Sequence, residues 1–200
     1  MRRALAWASV AGVVLVPLAL AAMSPLLAWR DPIYIAAGFA GIAGFGILFL
    51  QPLLAAGLLP GLSPHRARQW HRVSAGLLIG AVVLHVGGLW VTSPPDVVDA
   101  LLFASPTPFS LWGVIAMWAI FATALLAMAR RRLPLSPRTW RQAHAALALL
   151  IVAGTILHAL LIDGTMEPIS KIALCLLVAL ATLKALAALR IWRIARRTRR

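Results

Sequence analysis

Six apolar runs, at residues 4–28, 33–59, 73–91, 109–129, 143–162 and 172–189, decide what this chain can fold into. Most of them approach or exceed the roughly 20 residues a helix needs to cross about 30 Å of hydrocarbon. Too little polar sequence remains between them to clothe a water-soluble globule: 62% of the 200 residues are hydrophobic and 12% charged, with a mean hydropathy of +0.92. The chain therefore reads as an all-α membrane protein, a six-transmembrane-helix bundle forming a single domain over residues 1–200. Proline and glycine punctuate the breaks, as at Asp31-Pro32, LLPGLSPHRARQ (58–69), VTSPPDVVD (91–99) and RRRLPLSPRTW (130–140). VVDALLFA (97–104) reads as a short helix along the outer surface.

Charge placement orients the bundle. With both termini cytoplasmic, the cytoplasmic loops hold Arg66, Arg68, Arg130, Arg131, Arg132, Arg138 and Arg141, and the ends hold Arg2, Arg3 and the tail IWRIARRTRR. All five acidic residues, Asp31, Asp96, Asp99, Asp163 and Glu167, fall in outer loops with only Arg30 and Lys171 as cations. The net charge of +14 thus reflects orientation and contact with anionic membrane lipid, and no nucleic acid partner is expected. Cys175 is alone in an apolar run, which leaves no disulfide framework or thiolate metal site. The start, MRRALAWASVAGVVLVPLALAAMS, shares features with a signal peptide, but its apolar run extends to Ala28 and reads as a retained span.

Histidine spacing carries the chemistry. In RQWHRVSAGLLIGAVVLH (68–85) and RQAHAALALLIVAGTILH (141–158), His71 and His85, and His144 and His158, stand 14 residues apart. That interval spans about 21 Å of helix and falls about 40° short of four full turns, so each pair shares one helix face. SPHRARQWH (63–71) and SPRTWRQAH (136–144) form a weak repeat, and the third and fifth spans run in the same direction. If these spans face each other, His71 meets His144 near the cytoplasmic boundary and His85 meets His158 toward the outside. Opposed imidazoles at two levels suit the axial positions of two haems b.

Other uses of the same residues compete with that reading. A buried histidine can be a neutral helix-to-helix hydrogen-bonding group, although ionisable residues inside a membrane are costly and functional by default. Zinc or non-haem iron would want carboxylates or thiolates nearby, and the acidic residues all sit in outer loops. Gly76, Gly80, Gly87, Gly88 and Gly154 could admit a flat macrocycle or serve ordinary helix packing. Arg66, Arg68, Arg72 and Arg141 surround the inner pair as candidates for holding haem propionates, Arg30 and Lys171 play that part outside, and Trp70 and Trp140 mark the interface. His65 lacks a partner at the 14-residue spacing and stays outside the set. Lys184 can snorkel inward from the last span, and Gln51, before Pro52, can satisfy a freed carbonyl or approach a quinone or flavin.

With six spans, RQWHRVSAG entering the third, His85 closing it, and WRQAH to ILH on the fifth, the chain resembles the ferric reductase-like transmembrane domain family. That superfamily includes ferric reductases, NADPH oxidase membrane cores and the haem subunit of a methionine sulfoxide reductase system. The resemblance implies two b haems, ligated by His71 with His144 and by His85 with His158. It also implies a multi-pass protein of a bacterial-type cytoplasmic (inner) membrane that passes electrons to an outer-face acceptor. No glycine-rich dinucleotide loop follows a strand, so the expected donor is a separate flavin reductase, a quinol or a weakly held FMN or FAD. The chain is then an oxidoreductase component without its own NAD(P)H/FAD domain. A cytochrome b561-like quinol protein, a methionine sulfoxide reductase-type haem subunit and a non-catalytic membrane anchor are the alternative functions.

Overall fold

The computed structural model describes residues 1–190; the tail IWRIARRTRR and the Arg2 side chain, both assigned above to the cytoplasmic side, lie outside the described residues. Its helices are α1 (Arg2–Ala22), α2 (Pro32–Ala55), α3 (Pro64–Thr92), α4 (Pro94–Leu101), α5 (Pro108–Met128), α6 (Pro137–Leu161) and α7 (Pro168–Leu189). Six of these are long and apolar enough to cross a membrane. The fold is a multi-pass, all-α, six-span bundle, with α4 the short helix between the third and fourth spans.

Every helix after α1 begins at a proline in the first turn, where a missing N–H costs nothing and the fixed φ suits the helix. Ser63, Ser136, Asp31 and Glu167 cap four of them by accepting backbone N–H groups. This chemistry corrects two boundaries. The basic segments read above as loops before residues 73 and 143 are already helical, because Ser63-Pro64 and Ser136-Pro137 are start signals. The short outer helix likewise begins at Pro94, earlier than residue 97. The turn between α2 and α3 holds Gly57 and Gly61 at φ +64° and +83°, a conformation open to glycine.

The closest packing joins α2 to α3 and α5 to α6, giving two antiparallel hairpins; α7 lies against α2 and α6, and α1 against α2 and α7. Leu174 and Val178 of α7 are fully buried, among Ile42, Phe45, Phe49, Ile120 and Ile151. Leu77, Leu84, Leu125 and Leu180 stay exposed, as expected of a bundle whose outer surface meets lipid rather than water. Because the spans alternate in direction, one end collects Asp31, Asp96, Asp99, Asp163 and Glu167, and the other collects the arginines in the first turns of α3 and α6 and just after α5. We refer to them as the acidic and basic ends.

Gly76, Gly80 and Gly87 do not help a flat ligand approach. They lie on the exposed side of α3, more than a third of a turn from the histidine face, and nothing stands within 4 Å of a Cβ built there. Gly88 and Gly154 are true close-packing points: a Cβ would meet Ala37 Cβ at 2.7 Å from Gly88, and the Trp112 carbonyl oxygen at 2.9 Å from Gly154.

Candidate functional site: two opposed histidine pairs

The 14-residue spacing on α3 and on α6 puts each histidine pair on the face its helix turns toward the other hairpin. His71 lies opposite His144 and His85 opposite His158, with ring centroids 6.3 Å apart in both cases and interplanar angles of 60° and 80°. The two pairs are about 21 Å apart along the helices. Among the described residues no group of three or more His, Cys, Asp or Glu side chains converges; the histidines meet in twos.

Three of the four rings are oriented by a neighbouring backbone. Nδ1 of His85 donates to the Ala37 carbonyl at 2.8 Å, Nδ1 of His158 to the Phe109 carbonyl at 2.9 Å, and Nδ1 of His71 to the Gln51 carbonyl at 3.2 Å. A carbonyl can only accept, so the proton sits on Nδ1, and in the neutral ring Nε2 keeps its lone pair for a ligand. The same two-part arrangement orients metal-ligating histidines generally.

His144 departs from this pattern. Its buried Nδ1 has no hydrogen-bond partner. Instead Trp140, one turn earlier on α6, stacks on the ring, is tied by its indole N–H to the Leu126 carbonyl at 3.3 Å, and carries the Arg130 guanidinium 5.4 Å from its own ring centre. Trp140 is thus part of the site, whereas Trp70 is an exposed tryptophan suited to an interface.

Two glycines escaped the sequence reading. A Cβ on Gly41 of α2 would lie 2.9 Å from His85 Nδ1, and one on Gly113 of α5 would lie 2.7 Å from His158 Nδ1. The signal for Gly41 was the three-residue glycine rhythm of GFAGIAGFG (38–46); Gly113 stands alone in an apolar helix and gave none.

Around His85 and His158 the hairpins leave a cavity of about 490 Å³. It reaches inward to Leu48, Leu78 and Ile120, and at the acidic end takes in Asp96 of α4, Thr165 and Lys171. Lys171 Nζ donates to the Ile162 carbonyl at 2.9 Å, and Arg30 lies 5.0 Å over the ring of Tyr34, which also lines the space. A largely apolar cavity of that size is suited to a small organic cofactor.

At the basic end a cavity of about 330 Å³ is lined by His65, Arg68, His71 and Arg72. His65, set aside above for want of a spaced partner, therefore stands beside the site. Arg72 is also part of that wall, while Arg141 is exposed and lines neither cavity. Lys184 is exposed on α7. The Gln51 amide is engaged with Ser74 Oγ at 2.8 Å, and it is the Gln51 carbonyl that serves His71.

The model of the family described as ferric reductase like transmembrane component matches residues 37–155. That span runs from the carbonyl holding His85 to three residues before His158. Comparison with curated proteins and with solved structures gives no match. The family match covers more than half of the chain: this protein belongs to the ferric reductase-like transmembrane component family and is a transmembrane electron-transfer protein of that kind.

Proposed function

We propose that the chain is a di-haem b electron carrier in which His71 and His144 hold one haem and His85 and His158 the other. The observation that carries this reading is the equal 6.3 Å separation of the two ring pairs. Two imidazoles that shared one metal ion through bonds of about 2.0–2.1 Å, with about 1.1 Å more from nitrogen to ring centre on each side, would have ring centres about 6.3 Å apart. The donor set fits as well, being imidazole alone, with Nδ1 occupied in three rings and an apolar cavity between two of them. A haem at each level would supply reversible one-electron iron chemistry, with its potential set by the ligating histidines, the hydrogen bonds that hold them and burial.

The residues of the chain hold and insulate these sites. Ala37, Phe109 and Gln51 fix three ring orientations through their carbonyls, and Trp140 fixes the fourth by stacking. Arg68 and Arg72 offer positive charge to a ligand carboxylate at the basic end, and Lys171 offers it at the acidic end. Arginine sorting supports placing the basic end, and both termini, in the cytoplasm of a bacterial-type inner membrane. Electrons then come from a separate flavin reductase or a quinol and leave to an acceptor on the outer face. The chain acts as the membrane component of an oxidoreductase.

Purified protein tests this directly. Two haems b per chain are expected in a reduced-minus-oxidised spectrum, falling to one in His85→Ala and in His158→Ala. A wild-type protein that binds no haem after reconstitution would sink the proposal and favour histidines that serve only to join helices.

A further inference from the structure

Nothing in the spacing of the histidines accounts for Gly41 and Gly113, yet the two glycines stand in one and the same relation to the outer ring pair. His85 Nδ1 donates to the carbonyl of Ala37, and Gly41 follows Ala37 by four residues on α2; His158 Nδ1 donates to the carbonyl of Phe109, and Gly113 follows Phe109 by four residues on α5. In an α-helix the carbonyl of residue i points toward residue i+4, whose N–H it already accepts. At Ala37 and Phe109 the imidazole reaches that carbonyl by passing over residue i+4. A Cβ there would stand 2.9 Å from His85 Nδ1 or 2.7 Å from His158 Nδ1.

We propose that Gly41 and Gly113 are positioning residues for the His85–His158 centre: each opens the approach by which the imidazole packed against it shares a carbonyl already engaged in its helix. This rests on the haem-ligand reading of the histidines and deepens it. The atoms that a new Cβ would strike belong to the imidazole rings. An added methyl is therefore relieved by turning the ring, which breaks the Nδ1–carbonyl bond while the helices stay packed. Loss of the hydrogen-bond partner that orients a ligating histidine lowers metal affinity by about 10–100-fold. The inner pair lacks the device. His71 reaches the carbonyl of Gln51 with Ala55 at the i+4 position and at the longer distance of 3.2 Å, and His144 has no carbonyl.

The test uses full-length protein in detergent, with Gly41→Ala, Gly113→Ala and, as a packing control on α2, Gly46→Ala, where a Cβ would meet the Val14 side chain at 3.1 Å. Haem titration, redox potentiometry and low-spin ferric electron paramagnetic resonance are read for each centre, assigned with His85→Ala and His144→Ala. The expected result is that haem affinity at the His85–His158 centre falls about 10–100-fold in the first two variants. Its potential and resonance shift, while the His71–His144 centre is unchanged and Gly46→Ala alters neither. Unchanged centres, or equal shifts of both, overturn the inference. A wild-type protein without two haems overturns it together with the reading beneath it, whereas two wild-type haems with silent variants overturn it alone. Should Gly41→Ala fail to accumulate, removing the ring it strikes, in Gly41→Ala/His85→Ala, restores accumulation to the level of His85→Ala; a double variant that still fails overturns the inference.

Discussion

Trp140 lies against His144 with ring centroids 5.1 Å apart and planes within 19°, so the one of the four paired histidines without a carbonyl partner is held by a flat aromatic surface. Such pairs contribute about 0.5–1.5 kcal/mol beyond area burial. On the proposed haem-ligand reading, Trp140→Leu should weaken cofactor retention at the His71–His144 pair by about 2–10-fold, with Trp140→Phe keeping most of it. Haem titration of the two variants, read at that pair, decides the matter; equal behaviour of Leu and Phe would count against stacking.

Ser74 is the hinge of a small polar network, accepting from the Gln51 amide and donating to the Trp70 carbonyl at 2.7 Å. Ser74→Ala leaves the Gln51 amide without its partner, at a cost of about 1–3 kcal/mol. Gln51→Leu combined with Ser74→Ala should recover much of that loss, since removing both partners leaves nothing unsatisfied. Thermal unfolding of the two single variants and the double variant in detergent measures the coupling.

Gly154 and Gly80 make a contrasting pair on the two histidine helices. Gly154→Ala forces a Cβ toward the Trp112 carbonyl and Ala116 of α5 and should cost about 1–3 kcal/mol. Gly80→Ala enters open space and should be harmless, or stabilise α3 by up to about 1 kcal/mol through helix propensity. A lower thermal midpoint is expected for Gly154→Ala, and an unchanged or higher one for Gly80→Ala.

Glu167 caps α7 by accepting the N–H groups of Ile169 and Ser170 at 2.6 and 2.8 Å, and the Ser170 and Ile169 bonds hold its carboxyl below the ordinary value of 4.5. A lowered folded pKa means that the stabilisation is fully present above the ordinary glutamate value and is lost as pH falls through the folded one. Glu167→Ala should therefore melt earlier than wild type at neutral pH, and the gap should close in strong acid. A gap that persists unchanged to low pH would contradict an ionised cap.

Periodicity in the chain was enough to reveal the six spans and the face shared by each histidine pair, because both depend on one helix at a time. The start of α3 was misplaced because hydropathy outweighed Ser63-Pro64, and a charged first turn reads as a loop when the cap is ignored. Gly41 and Gly113 depend on how one helix is rotated against another, whereas the unlike roles of Trp70 and Trp140 follow from their spacing to the histidine of their own helix. No linear spacing encodes that rotation. Trp140 sits four residues before His144 and stacks on it, whereas Trp70 sits one residue before His71 and points elsewhere.

The two hairpins also set an order of assembly. Every opposed pair takes one imidazole from α3 and one from α6, and α6 begins only at Pro137. A growing chain that has inserted α1 to α5 carries two lone imidazoles at two depths and no completed pair. Neither pair can be completed before α6 is in place, so the inner and the outer pair depend on the same helix.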